Sequence, residues 1–238
     1  MSLLSSIFGA RPHADLDAAS QAAIARWQSI QAVDLRAPLP TQRWLVVDVE
    51  TTGLDMRRDR LLAIGAVAID GDAIRMQDSF EIVLRQEKPS GRGNILIHRI
   101  GGGEQCEAIE PRAALLGFLD FAGKIPCVAF HAQFDETMLK RAFSENLGID
   151  FATPFIDLAL LAPALCHDAP QALHGLDEWV EHFSIAISAR HRAVADALGT
   201  AKLFQVLLRR AAAQKIGSAD ELFKLANDQR WLSRIRPH

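Results

Sequence analysis

Acidic side chains interrupt segments of apolar or small residues at three places in this chain of 238 residues. Asp48 and Glu50 stand two positions apart in an apolar, β-branched run, so on a strand both side chains leave the same face. Asp135 stands where an apolar stretch turns into a helical pattern, and Asp196 lies among small residues of a later helical pattern. Neighbouring carboxylates repel each other and lose solvation, so a cation would stabilise them. Oxygen ligands of this kind suit Mg²⁺ or Mn²⁺ better than zinc.

Each of these residues also has a more ordinary interpretation. Asp48 and Glu50 are equally compatible with a strand end that reaches solvent. Asp135 suits a helix N-terminal cap, where the helix dipole favours an acid. His191 precedes Asp196 by five residues. Its ordinary pKa of about 6.5 suits a general base, but a histidine at a helix start is usually structural or exposed.

Taken together, these residues form three motifs in order: DVETTGL from Asp48, HAQFD ending at Asp135, and HRAVAD ending at Asp196. The motifs resemble those of the DEDDh group of 3′–5′ exonucleases, and in particular its DnaQ-like branch, typified by the proofreading ε subunit of bacterial DNA polymerase III. The resemblance covers residues 43–210. The five fixed positions of DxETTG would match by chance about once per million sites.

The resemblance implies a site of five catalytic residues. Asp48, Glu50, Asp135 and Asp196 would hold two divalent ions, Mg²⁺ or Mn²⁺, with Asp48 as the bridging ligand. Glu50 and Asp196 would complete the ion on the nucleophile side, and Asp135 would support the second. His191 would take a proton from the attacking water, which predicts that activity rises between about pH 6 and 8.

The resemblance also implies substrate-side positions. The backbone at Thr51 and Thr52 would contact the terminal nucleotide, and Leu54 would pack against the last base. His98 resembles a substrate-side histidine of the proofreading branch, although the residues after it depart from the usual pattern. His131 belongs to this set as well, in a Phe-His pair where the family often has His-Asn.

The surrounding pattern predicts an α/β fold. Three early strands form a meander, and later strands alternate with helices; the strands are predicted at 44–50, 61–69, 73–84, 125–130 and 153–156, and the helices at 15–33, 111–121, 135–148, 157–165, 176–183, 193–214 and 218–233. Residues 86–103 are polar and glycine-rich and are predicted to form a loop. The resemblance implies a ribonuclease-H-like mixed five-stranded sheet flanked by helices.

Three regions are predicted along the chain. Residues 1–41 would form an N-terminal helical extension and linker, and residues 42–214 the exonuclease domain. Residues 215–238 would form a C-terminal helix packed on that domain, opened by a capping box from Ser218 to Glu221.

Composition excludes some classes of protein. A net charge of −3 argues against binding of nucleic acid mainly through a large positive field. The absence of tyrosine excludes tyrosine chemistry and the sister exonuclease group with tyrosine in its third motif. Three separated cysteines indicate a reducing compartment, and no apolar run approaches the roughly 20 residues that cross a bilayer. We therefore expect a cytoplasmic protein with no membrane partner.

The sequence thus predicts a metal-dependent 3′–5′ exonuclease that releases nucleoside 5′-monophosphates from the 3′ end of single-stranded DNA. One alternative is an exoribonuclease with the same site, because a single-stranded 3′ end is read mostly through backbone and stacking contacts. A second, less favoured, is a non-catalytic polymerase accessory. Association with a polymerase or with a second copy is left as a hypothesis.

Overall fold

The computed structural model describes residues 16–170, 172–187 and 192–235, and within them five strands form one mixed sheet. The strands are β1 (Arg43–Thr51), β2 (Leu61–Asp70), β3 (Ala73–Val83), β4 (Cys127–Ala129) and β5 (Phe155–Asp157). β1, β2 and β3 form an antiparallel meander, and β4 and β5 continue the sheet in parallel with β1, in the order β3-β2-β1-β4-β5. The predicted fold class is therefore confirmed.

Helices cover both faces of this sheet. They are α1 (Ala18–Ser29), α2 (Arg92–His98), α3 (Gly102–Glu107), α4 (Pro111–Ala122), α5 (Gln133–Leu147), α6 (Leu158–Leu165), α7 (Leu176–His182), α8 (Ala193–Ala213) and α9 (Ala219–Ile235). α1, α4 and α5 pack on the face that carries Val47 and Val49 of β1. α6, α8 and α9 pack on the face that carries Trp44 and Val46. Because both faces are covered, β2 is buried along nearly its whole length.

The segment 86–103, predicted as a loop, contains α2 and the start of α3, so that prediction is wrong. Gly91 and Gly101 adopt extended backbone as the N-terminal caps of these short helices. Buried polar side chains then hold the helices in place: Ser90 and Gln105 bond to each other, and His98 bonds to Ser90. The glycines thus mark helix boundaries, whereas the polar residues that favoured a loop form a network of buried hydrogen bonds.

Two element boundaries near the site differ from their predicted positions. β4 begins at Cys127, directly after Pro126, because proline has no amide hydrogen to donate to the sheet. α5 begins at Gln133, so Asp135 lies inside the first helical turn and not at the cap.

Both ends of the described chain pack on the sheet layers. In α1, Trp27 donates from Nε1 to the carbonyl of Gly123 at 2.6 Å. The predicted capping box is confirmed, since the Ser218 amide donates to Glu221 Oε2 at 3.0 Å and the Glu221 amide donates to Ser218 Oγ at 3.4 Å. Residues 1–15 of the predicted N-terminal extension lie outside the described residues. No helix in the described ranges is long and apolar enough to span a membrane.

Candidate functional site

Three carboxylates converge near the end of β1, on the face that α8 covers. One oxygen from each of Asp48, Glu50 and Asp196 lies within 4.8 Å of the others. Asp196 is buried, and the two strand residues are half-buried. The alternation of β1 explains this pairing, because Asp48 and Glu50 share one face while Val47 and Val49 enter the opposite core. The structure thus brings together three of the four predicted carboxylates.

The donor chemistry of this cluster fits a divalent cation. Three carboxylates at such short range repel each other, and their partial burial removes part of the solvent that would screen the charges. A hard cation such as Mg²⁺ or Mn²⁺ prefers ligands of this kind. Asp48, Glu50 and Asp196 are therefore the residues that could hold a metal.

Asp135 reaches the same strand from α5 but does not belong to the group of three. Its Oδ1 accepts the amide hydrogen of Val49, the residue between the two strand carboxylates, at 3.1 Å. The side chain is buried, at 6% exposure. Burial raises the pKa of Asp135 to about 8, and the negative charges of Asp157 and Glu50 add to the effect. Without a cation, this carboxyl therefore holds its proton at neutral pH.

Asp157 is a buried acid beside the site that the sequence analysis did not single out. Its Oδ1 accepts the amide hydrogens of His131 and Ala159, each at 3.0 Å, so it caps α6 and holds the turn before α5. A signal for it was present: Asp157 directly follows an apolar run in a strand, as Asp48 does. Since α5 carries Asp135, the turn that Asp157 anchors sets the position of a site carboxylate.

His131 occupies that turn in a left-handed backbone conformation, with φ at 59°. Asparagine tolerates this conformation better than most residues, so the family's usual residue suits the same backbone. The His131 side chain is exposed and its ring meets the ring of Phe130 edge to face, with centroids 4.8 Å apart. The imidazole is therefore accessible, and its predicted contact with substrate stays a prediction.

The turn after β1 is ordered by its own hydrogen bonds. Thr51 Oγ1 donates to the carbonyl of Gly53 at 2.6 Å, and Thr52 Oγ1 bonds to Asp59 Oδ1 at 3.0 Å. A Cβ on Gly53 would lie 2.5 Å from the Asp59 carboxylate, so a larger residue there would displace that side chain. Leu54 projects from this turn at 85% exposure. Leu54 follows Glu50 by four residues, and an apolar side chain held this far into solvent suits contact with a base.

Two side chains absent from the sequence analysis brace this turn. Asn94 of α2 donates to the carbonyl of Thr52. Arg141 of α5 donates to the carbonyls of Met56 and Asp59. The turn is therefore tied both to α2 and to α5, the helix that carries Asp135.

His98 is buried, at 2% exposure, and both of its ring nitrogens are bonded within the protein. Nδ1 accepts the amide hydrogen of Ile100 at 3.1 Å, and Nε2 lies 3.0 Å from Ser90 Oγ. Because Nδ1 is an acceptor, Nε2 carries the proton and donates to Ser90. Burial lowers the pKa of His98, which favours the neutral ring. In this arrangement His98 positions α2, and its contact with substrate stays a prediction.

His191, the predicted general base, lies outside the described residues. The next residue in the chain, Arg192, caps α8, and its Nη2 lies 2.8 Å from Glu81 Oε2 of β3. The role of His191 therefore remains a prediction from sequence.

Comparison with known proteins identifies the family. The family model described as exonuclease (RNase T) matches residues 45–204. The chain belongs to this exonuclease family, and the predicted relation to the DEDDh exonucleases and the predicted enzyme class, a nuclease, are confirmed. A DNA polymerase III of the PolC type from Thermotoga maritima is 32% identical over 163 residues, which are 68% of this chain and 11% of that protein. The chain thus spans about a tenth of the length of such relatives.

Solved structures share the fold at lower sequence identity. Escherichia coli exonuclease I in complex with a dT13 oligonucleotide superposes with a TM-score of 0.62 at 17% identity, covering 73% of this chain and 42% of that one. The nuclease domain of 3′hExo, a DEDDh family member bound to rAMP, superposes with a TM-score of 0.62 at 14% identity, covering 71% of this chain and 92% of that one.

Proposed function

We propose that this chain is a metal-dependent 3′–5′ exonuclease that releases nucleoside 5′-monophosphates from the 3′ end of single-stranded DNA. The convergence of Asp48, Glu50 and Asp196, in a chain of the exonuclease family, is the observation that carries the proposal. A non-catalytic accessory protein would have no use for partly buried carboxylates that repel one another. The cluster therefore favours an enzyme over the accessory alternative.

The metal would be held by the four carboxylates. Asp48, Glu50 and Asp196 lie close enough to share a cation. Asp135, which accepts the amide hydrogen of Val49, would contribute the fourth carboxylate. Two divalent ions, Mg²⁺ or Mn²⁺, would lower the pKa of the attacking water and stabilise charge on the leaving 3′ oxygen. Asp135 must lose its proton before it can act as a ligand, so metal affinity should rise with pH.

The remaining roles concern the proton and the substrate. His191 would accept the proton of the attacking water. The backbone at Thr51 and Thr52 would hold the terminal nucleotide, and exposed Leu54 would pack against its base. His131 would reach the substrate from the turn before α5, and the predicted contribution of His98 would come through the position of α2.

Support for DNA as the substrate comes from a relative and a structural neighbour of this chain. The relative named above is a DNA polymerase, and exonuclease I was solved with a deoxythymidine oligonucleotide. Binding of rAMP by the 3′hExo domain keeps RNA as the second candidate substrate. Association with a polymerase is supported by the similarity to a DNA polymerase. A cytoplasmic location, expected from the three separated cysteines, belongs to the same proposal.

We assign the catalytic unit to residues 42–214, with residues 1–41 as an N-terminal helical extension and linker and residues 215–238 as a C-terminal helix packed on the catalytic unit. The family match over residues 45–204 falls inside this unit.

Substrate choice is tested with 5′-labelled oligonucleotides of one sequence: single-stranded DNA, blunt duplex DNA and single-stranded RNA, each with Mg²⁺ or Mn²⁺. The proposal predicts ladders that shorten from the 3′ end, fastest on single-stranded DNA and absent in EDTA. Faster shortening of RNA would move the assignment to the exoribonuclease alternative. No shortening of any substrate would contradict the proposed activity.

A further inference from the structure

Positive charge is concentrated in one segment beside the site, although the chain as a whole is negative. Residues 85–99, here called the basic segment, contain four arginines and lysines and one acid, a net charge of +3 in a chain of −3. The rest of the chain therefore carries −6. All four cationic side chains are exposed: Arg85, Lys88, Arg92 and Arg99.

Hydrogen bonds hold the basic segment against the turn after β1. Arg60 donates from Nε to Gln86 Oε1 at 2.8 Å and from Nη2 to the carbonyl of Lys88 at 3.1 Å. Further along, Asn94 donates to the carbonyl of Thr52. Thr52 is two residues from Glu50, which an extended chain spans in about 7 Å. The basic segment therefore lies next to the candidate metal site.

The interior of the segment is fixed, so its cations are displayed on a defined surface. Ser90 and His98 are buried and bond to each other, and Gln105 bonds to both Ser90 and the carbonyl of Ile100. The inner side of α2 thus packs against the rest of the protein, while Arg92, at the first position of the helix, is exposed to solvent.

We propose that the basic segment, mainly through Lys88 and Arg92, binds the phosphodiester backbone of a single strand upstream of the 3′ end that enters the carboxylate site. This inference rests on the proposed function. Carboxylates repel phosphates, so a strand approaching the site gains from cations placed beside it. Such contacts position the strand without reading its sequence, as an exonuclease that removes every nucleotide requires.

The inference is tested by the binding of 5′-labelled dT20. Binding is measured by fluorescence anisotropy from 50 to 300 mM salt, in an Asp48→Ala background that prevents cleavage. The variant is Lys88→Glu with Arg92→Glu; a glutamate at the start of α2 suits the helix dipole, so the fold should persist. For single strands, each phosphate contact contributes about 0.7 to the salt slope, or about fivefold in affinity at 0.1 M salt. We expect binding about 20-fold weaker at 0.1 M salt and a salt slope shallower by about 1.4.

The matched control is Arg26→Glu with Lys224→Glu, which changes the net charge equally at exposed positions in α1 and α9. We expect it to bind within about twofold of the parent, because surface charges farther apart than a Debye length are screened. Equal losses in both variants, or no loss in the Lys88/Arg92 variant, would overturn the inference. Failure of the wild-type chain to shorten dT20 with Mn²⁺ would instead overturn the proposed function.

Discussion

Gly65 lies directly opposite Asp48 in the β1–β2 ladder, and a Cβ on Gly65 would come within 2.0 Å of the carbonyl carbon of Ala193. The first turn of α8 therefore rests on bare strand backbone beside Asp48. Only glycine permits this approach, and it brings Asp196, three residues after Ala193, to the carboxylates of β1. A residue without a side chain is thus part of what assembles the candidate metal site.

Replacement of Gly65 by alanine should separate the carboxylates. The added methyl overlaps the backbone of α8, so we expect a loss of about 3 kcal/mol in stability and displacement of Asp196. The measurement is the rise in Tm produced by Mn²⁺, which should largely disappear in Gly65→Ala. Gly117→Ala is the matched control, because its Cβ would meet Phe80 at an ordinary 3.9 Å and alanine favours the helix. An unchanged Mn²⁺ response in folded Gly65→Ala would contradict this account.

Asp157 should act through the hydrogen bonds that its side chain accepts. Asp157→Ala leaves the amides of His131 and Ala159 without this acceptor, so we expect a loss of about 1–3 kcal/mol and a lower kcat. Asp157→Asn keeps an acceptor oxygen and should retain most of the stability. Urea unfolding and single-strand cleavage check both variants. Equal effects of the two substitutions would mean that the negative charge, and not the hydrogen bonding, is what matters.

Neutralisation of Asp135 should stabilise the metal-free protein as the pH rises. In the unfolded chain this carboxyl loses its proton near 3.8, whereas in the folded protein it holds the proton up to about 8. Between these values the unfolded state releases the proton first, so rising pH destabilises the wild type. Asp135→Asn removes this dependence while its amide oxygen can still accept from Val49.

The Tm of Asp135→Asn in EDTA should therefore exceed that of the wild type by a margin that grows from pH 4 to pH 8. The control is Asp168→Asn, an exposed acid paired with Arg210, for which no such gain is expected. With Mn²⁺ present, the Tm of the wild type should rise, and the Tm of Asp135→Asn should rise less. A constant Tm difference across this pH range would contradict the buried-carboxyl interpretation.

The pH dependence of catalysis should originate in His191 and not in His98. His98 is buried, its Nδ1 accepts the Ile100 amide hydrogen, and burial lowers its pKa, which moves its titration away from the range between about pH 6 and 8. At saturating Mn²⁺ the wild-type kcat should rise across this range, and His191→Asn should lower kcat by about 100-fold or more and remove the rise. The measurement is single-turnover cleavage. A flat wild-type profile with chemistry rate-limiting would exclude His191 as the base.

Much of the architecture near the site was predictable because its signals are local. The alternation in β1 placed Asp48 and Glu50 on one face, and the apolar strands and amphipathic helices followed their periods. Residues 86–103 were mispredicted because polar residues that usually favour loops became a buried network around His98, and only tertiary contacts decide that outcome.

The positioning residues were missed for a related reason. Gly65 sits in an unbroken apolar strand, a known sign of close backbone approach, but which helix approaches is not encoded nearby. Asp157 resembles an ordinary helix cap, and its link to the turn at His131 spans 26 residues. Such long-range relationships require the folded chain.

The carboxylate cluster around Asp48 is proposed to hydrolyse nucleic acid from the 3′ end. The most direct test of this activity is a parallel time course on one single-stranded DNA, labelled at either the 5′ or the 3′ end, with wild type and Asp48→Ala in Mn²⁺. The account predicts stepwise shortening of the 5′-labelled strand and immediate release of a labelled nucleoside 5′-monophosphate from the 3′-labelled strand, with both lost in Asp48→Ala. Retained cleavage in a clean Asp48→Ala preparation, or release from the 5′ end, would contradict it.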